Sequence, residues 1–178
     1  MTHLPTPGAT DLVAAAVRGD RDAFRSLVEP LLPTALGAAT VLLRSRTEAE
    51  DVVQEALFSA WRDLHKLRDA QAFPAWFRRH VVRGAMRRAA RRSVVVELDL
   101  DAAAPAGELD RAVERRALRR AFGEMHANDR AVLTLRHLWD MSVAETADML
   151  NVPEGTVKSR LHAAIERLRA AYAAEERR

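Results

Sequence analysis

The chain has 178 residues, of which 48% are hydrophobic and only 5% aromatic, and its net charge is +3. This length suffices for one domain or two small ones with a packed core. The absence of cysteine excludes disulfides and thiolate metal sites, and it is typical of a reducing compartment. The first ten residues lack the basic start and apolar run of a signal peptide. Nowhere do about 18 apolar residues follow one another, so we expect a cytoplasmic protein with no membrane insertion.

The composition predicts an all-α fold, because Ala, Leu, Arg and Glu dominate and are good helix formers. The charges fall in blocks: residues 78–92 hold seven arginines and no acid, whereas residues 94–110 hold five acids and no base. We therefore expect two small helical domains joined by a flexible acidic linker. The predicted boundaries are a disordered tail at 1–10, an N-terminal domain at 11–93, the linker at 94–109 and a C-terminal domain at 110–178.

The N-terminal domain contains signals for three or four helices. The first is predicted at 11–28, and the second follows Pro30 and Pro33 and extends to about residue 44. A third opens at Thr47, where Glu50 three residues later completes a capping-box pattern. Its buried stripe is expected to be Val53, Ala56, Leu57, Ala60, Trp61 and Leu64. Residues 67–73 look like a loop, and Pro74 suits the first turn of a fourth helix.

The C-terminal domain is predicted to contain helices at 110–126, 128–139, 143–150 and 153–172. Ser142 and Glu145 form a second capping-box pattern at the start of the third of these helices. Asn151 tolerates the left-handed conformation that a tight helix exit needs, and Pro153 suits the first turn of the next helix. Two helices separated by about three residues predict a helix-turn-helix.

The last predicted helix has a buried back and a basic front. Its apolar stripe is Val157, Leu161, Ile165 and Leu168, with Val157 expected to face Ala147 of the preceding helix. The backbone N–H groups at a helix N-terminus favour a phosphate, and Gly155 lets a sugar-phosphate backbone approach. The front, formed by Thr156, Lys158, Ser159, Arg160 and His162, indicates contact with duplex DNA. The alternative is an amphipathic hairpin with a solvated basic face.

A second basic surface is predicted on the helix at 76–92. Phe77, Val81, Ala85 and Ala89 recur every four residues and should face the core, while Arg79, Arg83, Arg87 and Arg91 recur on another face. A polyanion would relieve the repulsion in this arginine row and gain from counterion release. The alternative is a solvated row paired with acids elsewhere in the fold. Of the nearby rings, Phe77 is expected in the core, whereas Trp76 is equally consistent with the core and with base stacking.

The third predicted helix carries an outer face of a different kind. We call Asp51, Gln54, Glu55 and Phe58 the acidic face. An acidic surface with an exposed phenylalanine does not suit DNA and favours a protein partner with a basic surface. The alternative is ordinary solubilisation of a helix.

Three segments in this order resemble a bacterial RNA polymerase sigma factor of the extracytoplasmic-function (ECF) group of the sigma-70 family. They are TEAEDVVQEALFSAW at 47–61, FPAWFRRHVVRGAMRR at 73–88 and SVAETADMLNVPEGTVKSRLHAAIERLR at 142–169, and the likeness extends over 11–172. The resemblance implies a protein that binds core RNA polymerase, on the β′ clamp coiled coil and the β flap. It also implies binding to promoter DNA, both duplex and single-stranded, and an anti-sigma factor where one exists.

The resemblance assigns site residues by their numbers in this chain. Core polymerase would be bound by Asp51, Gln54, Glu55 and Phe58. The −10 element would be melted by Lys66, Arg68, Gln71, Trp76, Arg79, Arg83 and Arg87, with flipped bases captured by the loop at 65–72. The −35 element would be contacted by Glu154, Gly155, Thr156, Lys158, Ser159, Arg160 and His162. The acidic linker would thread the template and RNA channels of the polymerase. Catalytic residues, metal ligands and cofactors are not expected.

The chain departs from the family pattern in three places. Met125 and His126 replace a usual Leu-Pro pair, leaving Asn128 as the expected helix cap. Arg83 stands where an asparagine is frequent, which bears on base preference at the −10 element. Residues 31–44 lack the aromatic side chains common there.

Two other functions compete with a sigma factor. A one-component helix-turn-helix regulator binding duplex DNA would need an effector pocket or a dimerisation helix, and the N-terminal half shows neither clearly. An enzyme is disfavoured, because the six histidines have no metal-ligand spacing and no glycine-rich phosphate loop appears among the seven glycines.

Overall fold

A computed structural model describes residues 8–91, 122 and 125–175, and all regular elements in these ranges are helical. The helices are α1 (Ala9–Val17), α2 (Arg21–Val28), α3 (Leu32–Leu43), α4 (Arg46–Asp63), α5 (Phe73–Arg91), α6 (Ala127–Leu133), α7 (Val143–Leu150) and α8 (Glu154–Glu175). Short 3-10 turns occupy Glu29–Leu31, Leu64–Lys66 and Ala70–Ala72, and α6 continues as a π-helical turn over Thr134–Leu138. The all-α prediction is confirmed. The predicted linker and most of the predicted tail lie outside the described residues.

The prediction of one helix over 11–28 is wrong, because the chain turns between α1 and α2. Gly19 adopts a φ of 99°, a conformation that side-chain-bearing residues rarely take. Asp20 then caps α2, since its Oδ1 accepts hydrogen bonds from the backbone N–H of Asp22 at 2.9 Å and of Ala23 at 3.0 Å. A glycine followed by an aspartate is a helix stop and a helix start in succession.

The capping residue of α4 also lies two residues earlier than predicted. Ser45, not Thr47, is the capping residue, and its Oγ accepts from the N–H of Glu48 at 3.3 Å. Glu50 pairs instead with Arg46, one turn earlier, at 2.7 Å. Arg44 immediately before the cap takes a left-handed φ of 58°, which ends α3 and lets α4 start at once.

We call α1 to α5 the N-terminal unit and the helices from α6 onwards the C-terminal unit. The core of the N-terminal unit lies between α3, α4 and α5. The predicted stripe of α4 is confirmed: Val53, Ala56, Ala60 and Leu64 are buried, with Leu57 and Trp61 half-buried. Phe77, Val81 and Ala85 of α5 are buried as predicted, and Ala89 is half-buried. Close approach of α4 and α5 depends on Gly84, because a Cβ at this position would lie 3.0 Å from Cγ1 of Val52.

One apolar stretch, Arg21–Leu43, has the length and the mean hydropathy of 1.5 that a membrane span requires. It comprises α2, a 3-10 turn and α3 rather than a single straight helix, since Pro30 and Pro33 interrupt it. Ala35, Ala39 and Leu42 from this stretch are buried in the helical core. Within the 18-residue window of this stretch, 39% is buried inside the protein.

The C-terminal unit is built around the predicted helix-turn-helix, α7 and α8. The capping box is present in both halves: the N–H of Glu145 donates to Ser142 Oγ at 3.1 Å, and the N–H of Ser142 donates to Glu145 Oε2 at 2.7 Å. The hydroxyl and backbone of Ser142 thereby lower the pKa of Glu145. Asn151 is left-handed, with φ 54° and ψ 52°, as predicted. Val157 and Ala147 pack in one buried cluster, also as predicted.

The start of α6 corrects one prediction. Asn128 is not the cap; it lies within the helix, and His126 occupies the capping position without a side-chain hydrogen bond to the backbone. The C-terminal unit packs on the N-terminal unit through α6 and the residues that follow it. One buried cluster combines Ala38 of α3 and Val82 of α5 with Leu135 and Trp139 of the C-terminal unit.

Candidate nucleic-acid interface

The front of α8 is open to solvent while its back is buried. Val157 and Ala164 are fully buried, whereas Lys158, Ser159 and His162 are exposed. Pro153 stands just before the helix rather than inside its first turn, and its carbonyl accepts from the N–H groups of Thr156 at 2.9 Å and of Val157 at 3.2 Å. The helix therefore presents three polar side chains with hydrogen-bonding capacity on a rigid support, which is the geometry for contacting base edges.

The remaining predicted −35 residues border this front. Glu154 and Gly155 are exposed in the first turn, and Thr156 and Arg160 are half-buried. Nothing lies within 4 Å of the position where a Cβ would stand on Gly155. This open space is where a phosphate backbone could approach the helix N-terminus.

Most of the arginine row of α5 is exposed to solvent. Arg83, Arg87 and Arg91 are exposed and Arg79 is half-buried. Within residues 8–91 and 125–175, Arg79, Arg83 and Arg87 have no carboxylate within 4 Å. Acids elsewhere in the described part of the fold therefore do not neutralise these three side chains, which favours an anionic partner over the solvated, internally paired alternative.

A polar groove of about 220 Å³ lies between α4 and α5 beside the arginine row. Its lining includes Glu55, Ser59, Arg62, Asp63, His80, Arg83 and Arg87. Burial lowers the pKa of His80, and the positive charge of Arg83 acts in the same direction while Asp63 opposes it. No local pattern in the sequence indicates this role of His80, because its place in the groove follows from the pairing of α4 with α5.

Trp76 belongs partly to the core. Its ring is half-buried, with its centroid 4.4 Å from that of His80 in an edge arrangement and 6.0 Å from that of Phe73. Phe73 and Phe77 are buried, with parallel rings at 6.3 Å. Trp76 is the only member of this aromatic trio that keeps a solvent-accessible surface for stacking.

The predicted base-capturing loop is built from the 3-10 turns before α5. Lys66, Arg68 and Gln71 are all exposed there. Lys66 Nζ pairs with Asp63 at 2.9 Å, and Asp69 accepts from the backbone N–H of Gln71 at 2.9 Å, so the turn is ordered by local hydrogen bonds. The loop thus leads directly into α5, the helix that carries the arginine row.

The acidic face of α4 is exposed at all four positions, and Phe58 keeps 69% of its surface accessible. Arg88 of α5 approaches this face, with its guanidinium 3.0 Å from Asp51 and 3.9 Å from Glu55. Arg88 was not predicted as a site residue, because it lies off the arginine row and its partners Asp51 and Glu55 are 37 and 33 positions away in the chain. The acidic face of α4 therefore lies beside α5, and the ion pairs of Arg88 connect the two helices.

The two basic surfaces border one cleft. A cavity of about 320 Å³ between the N-terminal and C-terminal units is lined by Val82, Arg83, Met86, Arg87, Asn128, Met149, Leu150, Asn151, Val152 and Arg160. Arg83 and Arg87 come from the candidate −10 surface, and Arg160 comes from the candidate −35 helix. Among the described residues that line it, this cleft has apolar walls, three guanidinium groups and no carboxylate.

The fold and these surfaces define a class of protein. A helix-turn-helix with an exposed polar front, a second helix with an exposed row of arginines and a separate acidic face are the features of a DNA-binding transcription protein with a protein partner. In the part of the chain that the structure describes, no group of three or more His, Cys, Asp or Glu side chains is placed to hold a metal ion.

Comparison with known proteins identifies the family. The family model for Sigma-70 region 2 matches residues 27–94, and that for Sigma-70 region 4 matches residues 115–168. The ECF RNA polymerase sigma factor SigM of Mycobacterium tuberculosis is 33% identical over 159 residues, covering 89% of this chain and 81% of SigM. SigL of the same organism is 31% identical over 164 residues, covering 88% and 93% of the two chains. The chain belongs to the sigma-70 family, in its ECF group.

Solved structures agree on the fold. CnrH in complex with the cytosolic domain of CnrY matches with a TM-score of 0.68 and 24% identity, covering 92% of this chain and 96% of that one. The sigma factor RpoE of Bartonella quintana, in complex with the anti-sigma factor NepR, matches with a TM-score of 0.67 and 23% identity, covering 84% and 96%.

Proposed function

We propose that this sigma factor binds core RNA polymerase through its acidic face, melts the −10 element with its N-terminal unit and contacts the −35 element with α8. The observation that carries the proposal is the exposed polar front of α8 on a buried back, in a chain that matches both sigma regions in order. Proteins of this family are initiation factors, which select where the polymerase starts. We propose that the chain acts in the cytoplasm and has no enzymatic activity of its own.

On α8 we assign different roles to exposed and half-buried side chains. Lys158, Ser159 and His162 project into solvent and would contact base edges in the major groove. Thr156 and Arg160 are half-buried and would hold the phosphate backbone. Glu154 and Gly155 complete the helix N-terminus, where the backbone comes close.

At the −10 element we assign the displaced strand to the surface around α5. Arg79, Arg83 and Arg87 would follow its phosphates, since they have no carboxylate partner in the described ranges. Trp76 and the exposed side chains Lys66, Arg68 and Gln71 would hold unstacked bases at the start of the same helix. The polar groove that contains His80 lies directly beside this path.

We assign core polymerase to the acidic face. Asp51, Gln54 and Glu55 provide hydrogen-bond acceptors, and Phe58 provides the exposed apolar side chain that an interface of this kind uses as an anchor. A basic surface on the partner would replace Arg88 as the counterion of Asp51 and Glu55. Because CnrH and RpoE were solved with CnrY and an anti-sigma factor, we also propose a protein partner that competes for these surfaces.

The test is reconstitution with core RNA polymerase. Run-off transcription from a pool of genomic fragments, followed by mapping of start sites, should yield transcripts that depend on the added protein and share two upstream elements. Duplex binding without core polymerase, combined with no protein-dependent transcript, would instead identify a one-component regulator and contradict the proposal.

A further inference from the structure

The base-capturing loop at 65–72 has a regular pattern of inward and outward side chains. Leu64 and Phe73, which flank the loop, are buried, and Leu67 and Ala70 within it are half-buried. These four positions are three residues apart, which matches the three-residue period of the two 3-10 turns. The intervening residues are all exposed, including the three that we assign to promoter bases. Every third side chain therefore fixes the loop to the protein, and the others are presented to solvent.

The surface on which the loop rests is the hairpin of α1 and α2. Helix α1 packs against both 3-10 turns, at Leu64–Lys66 and at Ala70–Ala72. Leu12 of α1 and Phe24 of α2 are half-buried, and they pack on the same apolar cluster as the inward side chains of the loop. The first two helices, to which the proposed function gives no role, thus form the support of the loop.

Phe24 contacts an aromatic ring at each end of the loop. Its ring centroid lies 5.1 Å from that of Trp61, near the end of α4, at an interplanar angle of 77°. It lies 6.3 Å from that of Phe73, the first residue of α5, at an angle of 89°. Edge-to-face contacts of this kind are favourable only over a narrow range of distance and orientation. One side chain of α2 therefore fixes the start and the end of the loop relative to each other.

The same series of rings continues to the side of the protein that we assign to DNA. Phe73 lies 6.0 Å from Trp76, and Trp76 lies 4.4 Å from His80, measured between ring centroids. Trp76 is the ring that we assign to an unstacked base. Phe24 is not among the residues assigned to DNA, so any effect that it has on a promoter base acts through the loop and Trp76.

The hydrogen bonds inside the loop are local. In the first turn the N–H of Leu67 donates to the carbonyl of Leu64 at 3.0 Å. In the second turn Asp69 accepts from the N–H of Gln71 on Oδ1 at 2.9 Å and from the N–H of Ala72 on its carbonyl at 3.1 Å. Each bond spans two or three residues, so these bonds fix the shape of each turn but not the distance between the turns. That distance depends on packing against α1 and α2.

We propose that the α1–α2 hairpin positions the base-capturing loop, and that Phe24 is its main positioning residue. By holding Trp61 and Phe73, Phe24 sets the geometry in which the loop and Trp76 receive an unstacked base of the −10 element. Recognition of this kind needs side chains held within about 0.5 Å of the productive arrangement, so a shift of the support alters which base is preferred. This inference rests on the proposed function of the loop and adds to it the two helices that the proposed function leaves out.

The test is transcription by core polymerase of a promoter library randomised at both elements. Phe24→Leu keeps an apolar side chain but removes both ring contacts, whereas Phe24→Tyr retains them. Leu36→Ala, on the same apolar cluster but in α3, is the control for a general loss of stability. The readout is the ratio of transcription between preferred and other bases at each position. A smaller folded fraction lowers transcription from all promoters alike and leaves this ratio unchanged, whereas a displaced loop changes it at the −10 element alone.

We expect Phe24→Leu to reduce the ratio by at least about fivefold at one or two positions of the −10 element, as for the loss of one base contact. The ratios at the −35 element and the affinity for core polymerase should not change. Phe24→Tyr and Leu36→Ala should keep the ratios of the unmodified chain. An unaltered −10 ratio in Phe24→Leu, or an equal change in Leu36→Ala, would overturn the inference.

Two further sets of variants separate the possible failures. Should Phe24→Leu be unfolded at the assay temperature, Leu12→Ala on α1 tests the same support and should relax the same −10 positions. If alanine at Lys66, Arg68 and Gln71 leaves the −10 preference unaltered, the loop does not capture bases, and the proposed function of the loop fails with the inference. If those three variants relax the preference but Phe24→Leu and Leu12→Ala do not, the inference alone fails.

Hydrogen exchange tests the support of the loop without polymerase or DNA. The amides of Leu67 and Ala72 close the two turns, so their exchange reports opening of the loop. In the free protein, Phe24→Leu should speed the exchange of both amides by about tenfold relative to amides inside α5, and Leu36→Ala should not. Equal exchange in the two variants would contradict support of the loop by Phe24.

Discussion

The outward faces of α4 and α8 invite comparison, because both helices bury an apolar stripe and expose a polar front. The front of α4 is acidic and includes Phe58, which is 69% exposed, whereas the front of α8 carries Lys158, Ser159 and His162. The buried stripes resemble each other and determine only that each segment is a packed helix. The fronts differ in charge and in apolar content, and this difference is what assigns one to protein and the other to DNA.

The two fronts also differ in their ion pairs with other parts of the chain. Arg88 pairs with Asp51 on α4, so the acidic face has an internal counterion that a basic partner must displace. The front of α8 has no comparable ion pair within residues 125–175, since Lys158 and His162 contact no carboxylate there. We therefore expect the α4 interface to tolerate changes of single charges better than the α8 interface.

The largest expected effect is a loss of stability from substitutions on the buried back of α8, compared with those on its exposed front. Val157→Asp buries a charge at a fully buried position and should cost at least about 4 kcal/mol of unfolding free energy in the C-terminal unit. Lys158→Asp, at the next and exposed position, should leave stability nearly unchanged. Thermal denaturation followed by circular dichroism measures both, and similar losses in the two variants would mean that the back and the front of α8 are misassigned.

Substitution of Gly84 tests whether α5 packs closely against α4, the helix that carries the acidic face. Gly84→Leu should cost about 2–3 kcal/mol, because even a Cβ there would lie 3.0 Å from the buried Val52 side chain. Gly37→Leu, in α3 with open space around it, should be neutral or should stabilise by about 0.5 kcal/mol through helix propensity. Chemical denaturation compares the two glycines directly, and an equal response would contradict the close contact of α4 with α5.

Phe58 tests the acidic face as a protein interface. Phe58→Ala should weaken binding to core polymerase by about 2 kcal/mol, or roughly thirtyfold, with no loss of stability because the ring is exposed in the free protein. Val17→Ala, at another exposed apolar side chain, is the matched control. The measurement is a fluorescence titration with core polymerase; unchanged affinity for Phe58→Ala would remove this face from the polymerase interface.

The smallest expected effect concerns pH and the groove beside the acidic face. Burial lowers the pKa of His80 in the folded chain, so the unfolded chain takes up its proton at a higher pH. Folding stability should therefore decrease as the pH falls below about 6.5, the usual histidine pKa. His80→Gln should make the melting temperature less dependent on pH between about 7 and 5. An equally steep decrease in that variant would assign the pH effect to other groups.

Much of the fold follows from local sequence signals. Ser142 with Glu145, Asn151, and the stripes of α4, α5 and α8 are determined by residues within one or two turns of each other, and the structure confirms them. The predictions fail where two local signals compete. Ser45 precedes Thr47 as a cap, and Gly19 with Asp20 divides a segment whose apolar pattern continues through it.

The site residues divide in the same way, into those that a local pattern predicts and those that depend on contacts between helices. The exposed front of α8 follows from the helical spacing of its apolar stripe, so the sequence alone predicts that Lys158 and His162 lie on the exposed face. Arg88, His80 and Arg130 act across helices, and nothing within their own segments indicates Asp51, Asp63 or the Leu42 carbonyl as neighbours. The association of the two units was not predicted for the same reason, since it depends on Ala38 and Trp139 meeting from distant parts of the chain.

Transcription of a randomised promoter library by α8 variants tests the central assignment most directly. Lys158→Ala and His162→Ala should each relax base preference at one or two positions of the −35 element, at a cost of about 1–3 kcal/mol for the preferred base. Arg160→Ala should instead weaken all promoters alike and flatten the salt dependence, as expected for a phosphate contact. Unaltered −35 preference in both Lys158→Ala and His162→Ala would show that α8 does not select the promoter, and the assignment of its front to DNA bases would be wrong.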